Sequence, residues 1–136
     1  MSAIMSTYGR LPVTFASGVG AYLTDQKGEQ YLDALSGIAV TNLGHSHASV
    51  TRAITEQAES LLHTSNLYGI AQQERLATEL NQLTGMERIF FCNSGAEANE
   101  TAIKVARRHG HNKGIANPQI VVLEAAFHGR TMGALS

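Results

Sequence analysis

The sequence predicts an α/β fold, and three observations carry that prediction. Two short apolar runs, "RIFFC" at 88–92 and "QIVVLE" at 119–124, have the length and the β-branched or aromatic content of buried strands. Between them Ala98, Ala102 and Val105 recur at helical spacing, so 88–124 reads as strand, helix, strand. Such a βαβ unit takes a right-handed crossover. Two parallel strands need covering on both faces, so the unit should belong to a larger sheet.

The remaining elements follow in chain order. Residues 1–17 carry little periodicity and read as an N-terminal arm. "GAYLTDQKGEQYLDA" predicts a β-hairpin about an Asp25-Gln26-Lys27-Gly28 turn. "SGIAVTNLGHSH" is rich in small residues without a sustained period and reads as a loop. Val50, Ile54, Ala58 and Leu61 then recur at i, i+4, i+8 and i+11, which predicts a helix over 47–62 with Leu61 and Leu62 in the core. "HTSNLYG" interrupts with turn formers. Leu76, Leu80 and Leu83 mark a second amphipathic helix that Gly85 is suited to stop. Gly110 is the expected end of the third helix, and "GHNKGIANP" is the connection to the second apolar run. There is no internal repeat and no low-complexity segment.

Composition narrows the partners. The chain has 136 residues, 43% apolar, with a formal net charge of −1, which fits an ordinary globular polypeptide. Its charges are balanced and scattered, so neither a nucleic acid nor a membrane surface is the expected partner. Cys92 is the one cysteine, which excludes an intrachain disulfide and points to a reducing compartment. Within "IFFC" it reads as a small buried hydrophobe. No stretch reaches membrane-spanning length. In "LPVTFASGVGAYL" the polar and small residues Thr14, Ser17, Gly18 and Gly20 break the apolar core of a signal peptide. A cytoplasmic location is the expectation.

The junction after the first apolar run, "NSGAEAN", holds most of the chemistry. A helix beginning at a strand's carboxyl end offers free N–H groups and a positive dipole end to an anion. Gly95 and Ala96 let an anion approach the backbone, and Ser94 adds a hydroxyl. Ser94-x-x-Glu97 is also a capping box, which accounts for both residues without any ligand. From the residues alone, cap and anion site stand as equal readings. No Walker A pattern occurs, and "SGVG" does not make a dinucleotide fingerprint. After the second run, "AFHGR" brings Phe127 and His128 to the same sheet edge. Phe127 could cover a flat ring and His128 could hydrogen-bond beside it; in isolation, a core phenylalanine and a turn-capping histidine are the favoured readings. His45-Ser46-His47 and His109-Gly110-His111 lack an acidic or cysteine partner nearby in sequence, so no metal is expected. Arg107 and Arg108 read as a solvated helix end.

"SGIAVTNLGHSHASV", "HTSNLYG", "NSGAEANETAIKVAR" and "AFHGRTMG", in this order and spacing, resemble the start of a class III, ornithine-type aminotransferase. The resemblance runs from Tyr8 to Ser136 and covers the N-terminal part of a family sequence. It implies the type I fold of pyridoxal-phosphate-dependent aminotransferases: arm and hairpin, helices, and the start of a mostly parallel central sheet. Residues 1–70 would belong to the small domain, and 71–136 would begin the large cofactor-binding α/β domain. The cofactor implied is pyridoxal 5'-phosphate. Ser94, Gly95 and Ala96 match the cradle of its phosphate, Phe127 the aromatic stacked on its ring, and His128 a pocket neighbour. Tyr8 matches an arm residue that reaches the substrate carboxylate, and Gly37 and Ile38 match the loop at the substrate entrance.

The resemblance also implies an activity. Family members work as homodimers, and "SNLYG" at 65–69 matches a segment near the dimer contact. Amino groups pass from a small-molecule amino donor to 2-oxoglutarate in a ping-pong exchange. Ornithine-specific relatives carry tyrosine where this chain has Ile38, and the apolar replacement suits an N-acylated chain better than a free ammonium. That favours N-acetylornithine, hence arginine biosynthesis, over ornithine; succinylornithine and 4-aminobutyrate are the neighbouring alternatives. None of Lys27, Lys104 and Lys113 matches the family's Schiff-base lysine. The expectation is a truncated chain or a fragment, inactive by itself, with a non-catalytic remnant as the alternative.

Overall fold

The computed structural model describes residues 3–135, which divide after Tyr68 into two compact units. The first holds a three-stranded antiparallel sheet, β1 (Phe15–Val19), β2 (Tyr22–Asp25) and β3 (Gln30–Leu32), in the order β1-β2-β3. The hairpin predicted about Asp25–Gly28 is β2–β3. Its turn is held by the Asp25 carboxylate, whose Oδ1 accepts from Lys27 N–H at 2.8 Å and Glu29 N–H at 2.9 Å. Gly28, at φ 88°, takes the left-handed position that such a turn needs. Strand β1 lies partly in the segment expected to be an arm. "FASGV" lacks alternation, and the strand exists because β2 offers it a ladder, with a bulge between Phe15 and Ser17. Phe15 meets Tyr31 edge to face at 5.5 Å.

A one-turn helix α1 (Ser36–Ala39) and a longer helix α2 (Ala48–Ser60) complete this unit. The 47–62 expectation is thus met to within two residues at either end. Leu61 and Leu62, expected in the core, are exposed, because the chain turns extended at Leu61 and leaves the helix stripe.

The second unit contains α3 (Ala71–Thr84), α4 (Gly95–Asn112) and the short α5 (Met132–Leu135). Gly85 ends α3 as predicted, at φ 70°, with its N–H bonded to Asn81 O at 2.9 Å. Gly110 does not end α4. It sits buried inside the helix where a Cβ would come within 2.6 Å of Pro118, so it is there for close approach. The stop is Gly114, at φ 80°, whose N–H bonds His111 O at 2.9 Å while Ile115 N–H bonds Gly110 O at 3.0 Å. That pair of bonds is a Schellman motif.

The largest departure concerns the two apolar runs. Neither 88–92 nor 119–124 is a strand among the described residues; both lie without a ladder, and the βαβ unit is present only as its helix. An apolar run signals a preference for burial, but a strand also needs a neighbour to bond. Val121 is 94% exposed, and Cys92, expected to be buried, is exposed as well. No apolar side chain is buried among the described residues. No helix there is long and apolar enough to cross a membrane.

Candidate functional site

The start of α4 is built by its own sequence. Ser94 is the N-cap, and its Oγ accepts from Glu97 N–H at 3.2 Å. Glu97 answers by accepting from Asn93 N–H at 2.8 Å, Asn93 Nδ2 at 3.2 Å and Ser94 Oγ at 3.1 Å. These bonds, Asn93's side chain first and its backbone N–H next, hold the Glu97 carboxyl below its ordinary value. The capping box is therefore formed, and the Ser94 hydroxyl is engaged in it. The N–H groups of Gly95 and Ala96 have no acceptor among the described residues. A Cβ built on Gly95 meets nothing within 4 Å beyond its chain neighbours and its own helix backbone, so the side-chain position at Gly95 is open.

The 127–130 loop is anchored to the same helix. Asn99 Nδ2 donates to His128 O at 2.5 Å, and Gly129, at φ 114°, brings its backbone against Ala96, where a Cβ would lie 3.7 Å from Ala96 Cα. His128 Nε2 is buried without a hydrogen-bond partner among the described residues. Phe127 is not a core residue: it is 76% exposed, with the Arg130 guanidinium 5.8 Å from its ring centroid. The structure thus brings together Ala96 and the loop carrying Phe127 and His128. Asn99 and Arg130 were not foreseen in this candidate site, whereas the glycine of "FHG" was read as part of the loop. The visible signal for Arg130 was its place directly after "FHG". Below the loop an open groove of about 670 Å³, lined by Ala102, Ile103, Ile120, Val122 and Leu123 among others, separates the apolar face of α4 from 118–126.

Tyr8, Gly37 and Ile38 lie in the first unit. Tyr8 is exposed in the stretch ahead of β1, outside every helix and strand. Gly37 and Ile38 occupy α1, which is left-handed: Ser36, Gly37, Ile38 and Ala39 have φ of 54°, 62°, 69° and 59°. Ala39 N–H to Leu35 O at 3.1 Å and Val40 N–H to Ser36 O at 2.9 Å close the turn. A β-branched residue in this conformation costs about 1–2 kcal/mol. Ile38 is 79% exposed, so burial does not offset that cost. Ile38→Gly is expected to stabilise the complete protein by about 0.5–1 kcal/mol, after allowing about 0.4–1 kcal/mol for the freer unfolded chain. Chemical denaturation checks it; a clear loss of stability would show that Ile38 is packed in the folded protein.

His45, which has no acidic partner nearby in sequence, finds one twelve positions away: its Nε2–H donates to Asp33 Oδ2 at 2.7 Å. That bond, followed by the Ser36 N–H bond, holds the Asp33 carboxyl below its ordinary value. Among the described residues no group of three or more His, Cys, Asp or Glu assembles that could hold a metal ion.

The family model of class-III aminotransferases matches residues 4–136. The acetylornithine aminotransferase of Nitrosomonas europaea is 59% identical over 136 residues, covering all of this chain and 35% of that protein. Among solved structures, N-acetylornithine aminotransferase from Stenotrophomonas maltophilia superposes with a TM-score of 0.75 at 44% identity, covering 79% of this chain and 29% of its own. An amine transaminase from an uncultivated Pseudomonas species, in its PLP-bound form, superposes over 100% of this chain and 34% of its own, with a TM-score of 0.89 at 30% identity. The chain spans about a third of the length of the curated relatives it matches. Its fold is accordingly the N-terminal portion of the type I aminotransferase fold. With a match over nearly every residue and the capped helix start of its motif formed, the chain belongs to the class-III aminotransferase family.

Proposed function

We propose that the complete protein is a pyridoxal-phosphate-dependent transaminase that moves the amino group of N-acetylornithine to 2-oxoglutarate, a step of arginine biosynthesis. The observation that carries the reading is the start of α4, where the N–H groups of Gly95 and Ala96 have no acceptor among the described residues and a loop bearing an exposed ring lies alongside. The residues present fit the cofactor. Gly95 and Ala96 would donate to its phosphate with the helix dipole behind them. Phe127 would cover its ring, and His128 Nε2, buried and unpartnered, would gain an acceptor or donor at its edge. With Ser94 engaged by Glu97, the backbone N–H groups would be the main phosphate donors. When bound, pyridoxal phosphate supplies the electron sink through which an amino group leaves one carbon skeleton and joins another.

On the substrate side, Tyr8 would meet a carboxylate, and Gly37 and Ile38 would line the entrance. Arg130, held beside Phe127, adds a cation suited to dicarboxylate and amino-acid substrates. The same reading makes the complete enzyme a cytoplasmic homodimer with 65–69 near the dimer contact, residues 1–70 in the small domain and 71–136 opening the large one. The relatives named acetylornithine aminotransferase support the choice of donor, as does the apolar side chain of Ile38. In the complete enzyme, Ile38→Tyr is expected to move the ratio of kcat/KM for acetylornithine over ornithine about tenfold toward ornithine, a shift that one hydrogen bond can supply. An unmoved ratio would reduce Ile38 to a packing residue.

A further inference from the structure

The left-handed turn α1 is held by a chain of contacts that reaches back into the sheet. On β1, Gly18 has no side chain, and a Cβ there would fall 2.7 Å from His45 Cγ, so the imidazole packs on the strand backbone itself. His45 is fixed along its backbone by reciprocal bonds with Gly20, 3.0 Å from Gly20 N–H to His45 O and 2.8 Å from His45 N–H to Gly20 O. Ser46 Oγ adds a bond to Gly18 O at 2.8 Å. The ring's Nε2–H then meets Asp33 Oδ2. The other carboxylate oxygen of Asp33 accepts from Leu35 N–H at 3.1 Å and from Ser36 N–H at 2.8 Å, the first residue of the turn. At the far end, Ser36 Oγ and Thr41 Oγ1 share a bond of 2.8 Å.

Four successive residues at positive φ do not stay there by local preference, since three of them carry a Cβ. Such a conformation persists only where the surroundings over-determine it, and the Asp33 carboxylate is where those constraints meet. We propose that His45, seated on Gly18, and its partner Asp33 are positioning residues that hold Ser36–Ala39 left-handed and thereby set how Gly37 and Ile38 face the amino donor. The proposal rests on the substrate-entrance reading of Gly37 and Ile38. It assigns no proton transfer to either residue.

The test uses the complete holoenzyme with His45→Ala, Asp33→Ala, the double variant, and His45→Gln, whose amide can still donate to Asp33. Amide hydrogen exchange at residues 38–41 reports the turn directly, without any turnover. The expected result is exchange at least about tenfold faster in either alanine variant, with the double variant no worse than the singles. KM for the amino donor is expected to rise about tenfold while kcat changes less than about threefold, the mark of lost binding geometry rather than lost chemistry. His45→Gln should restore both readouts toward the parent values. Unchanged exchange overturns the proposal at the clasp itself. Faster exchange with an unmoved KM overturns it through the substrate reading, and Ile38→Tyr, measured alongside, would then also leave the donor ratio unmoved.

Discussion

Expressed by itself, the 136-residue polypeptide is expected to aggregate and to catalyse no amino transfer. Among the described residues it buries no apolar side chain, and Phe90, Val121 and Leu123 of its two apolar runs stand exposed without a ladder. Contiguous apolar surface of that kind, next to unpaired backbone, drives association. Catalysis is expected to fail for a separate reason. Lys104 stands nine residues into α4 from Gly95, about 13 Å along the helix axis, and Lys113 caps the opposite end. Lys27 belongs to the β2–β3 turn, where its backbone serves the Asp25 bond. The check is to add pyridoxal phosphate, dialyse, and record the visible spectrum together with amino transfer to 2-oxoglutarate. Persistent colour with turnover would show that one of these three lysines is competent.

Gly95→Val in the complete enzyme is expected to lower affinity for pyridoxal phosphate roughly a hundredfold or more. The two N–H groups at the start of α4 would be lost as phosphate donors, and bonds to a charged group are worth about 1.5–3 kcal/mol each. The substitution is a clean probe because a Cβ at Gly95 meets nothing within 4 Å beyond its chain neighbours and its own helix backbone. Ser94 to Glu97 bonding does not involve the Gly95 side, so the cap should survive and α4 with it. Circular dichroism verifies that the helix content is kept. Titration with the cofactor measures the loss, and unchanged affinity would remove Ser94–Ala96 from the phosphate site.

Much of this protein was readable as a string of residues wherever the cause is local. The start of α4 follows from Ser94 and Glu97, which bond across three positions, and the end of α3 from Gly85 in its left-handed position. The hairpin turn follows from Asp25 and Gly28. The motif order over 36–133 was enough to name the family, because several short patterns in fixed register carry more information than any one of them.

What the residue string did not contain are the features set by distant neighbours. Gly110 looks like a helix stop, yet its role is to admit Pro118, eight positions on. "FASGV" shows no strand period and becomes β1 only through pairing with β2, while "RIFFC" and "QIVVLE" show strand composition and have no ladder among the described residues. The left-handed turn under Gly37 and Ile38 is invisible to propensity, since Ser, Ile and Ala all disfavour it; the Asp33–His45 pair, twelve residues apart, accompanies it. The approach of the Phe127–His128 loop to α4 likewise depends on Asn99 reaching His128 across 29 positions. Residue order by itself determined the start of α4, the end of α3, the Asp25–Gly28 turn and the family. Tertiary structure alone decided which extended segments pair, which glycines make room and how the candidate loops are held, because those depend on groups that only chain closure brings within bonding distance.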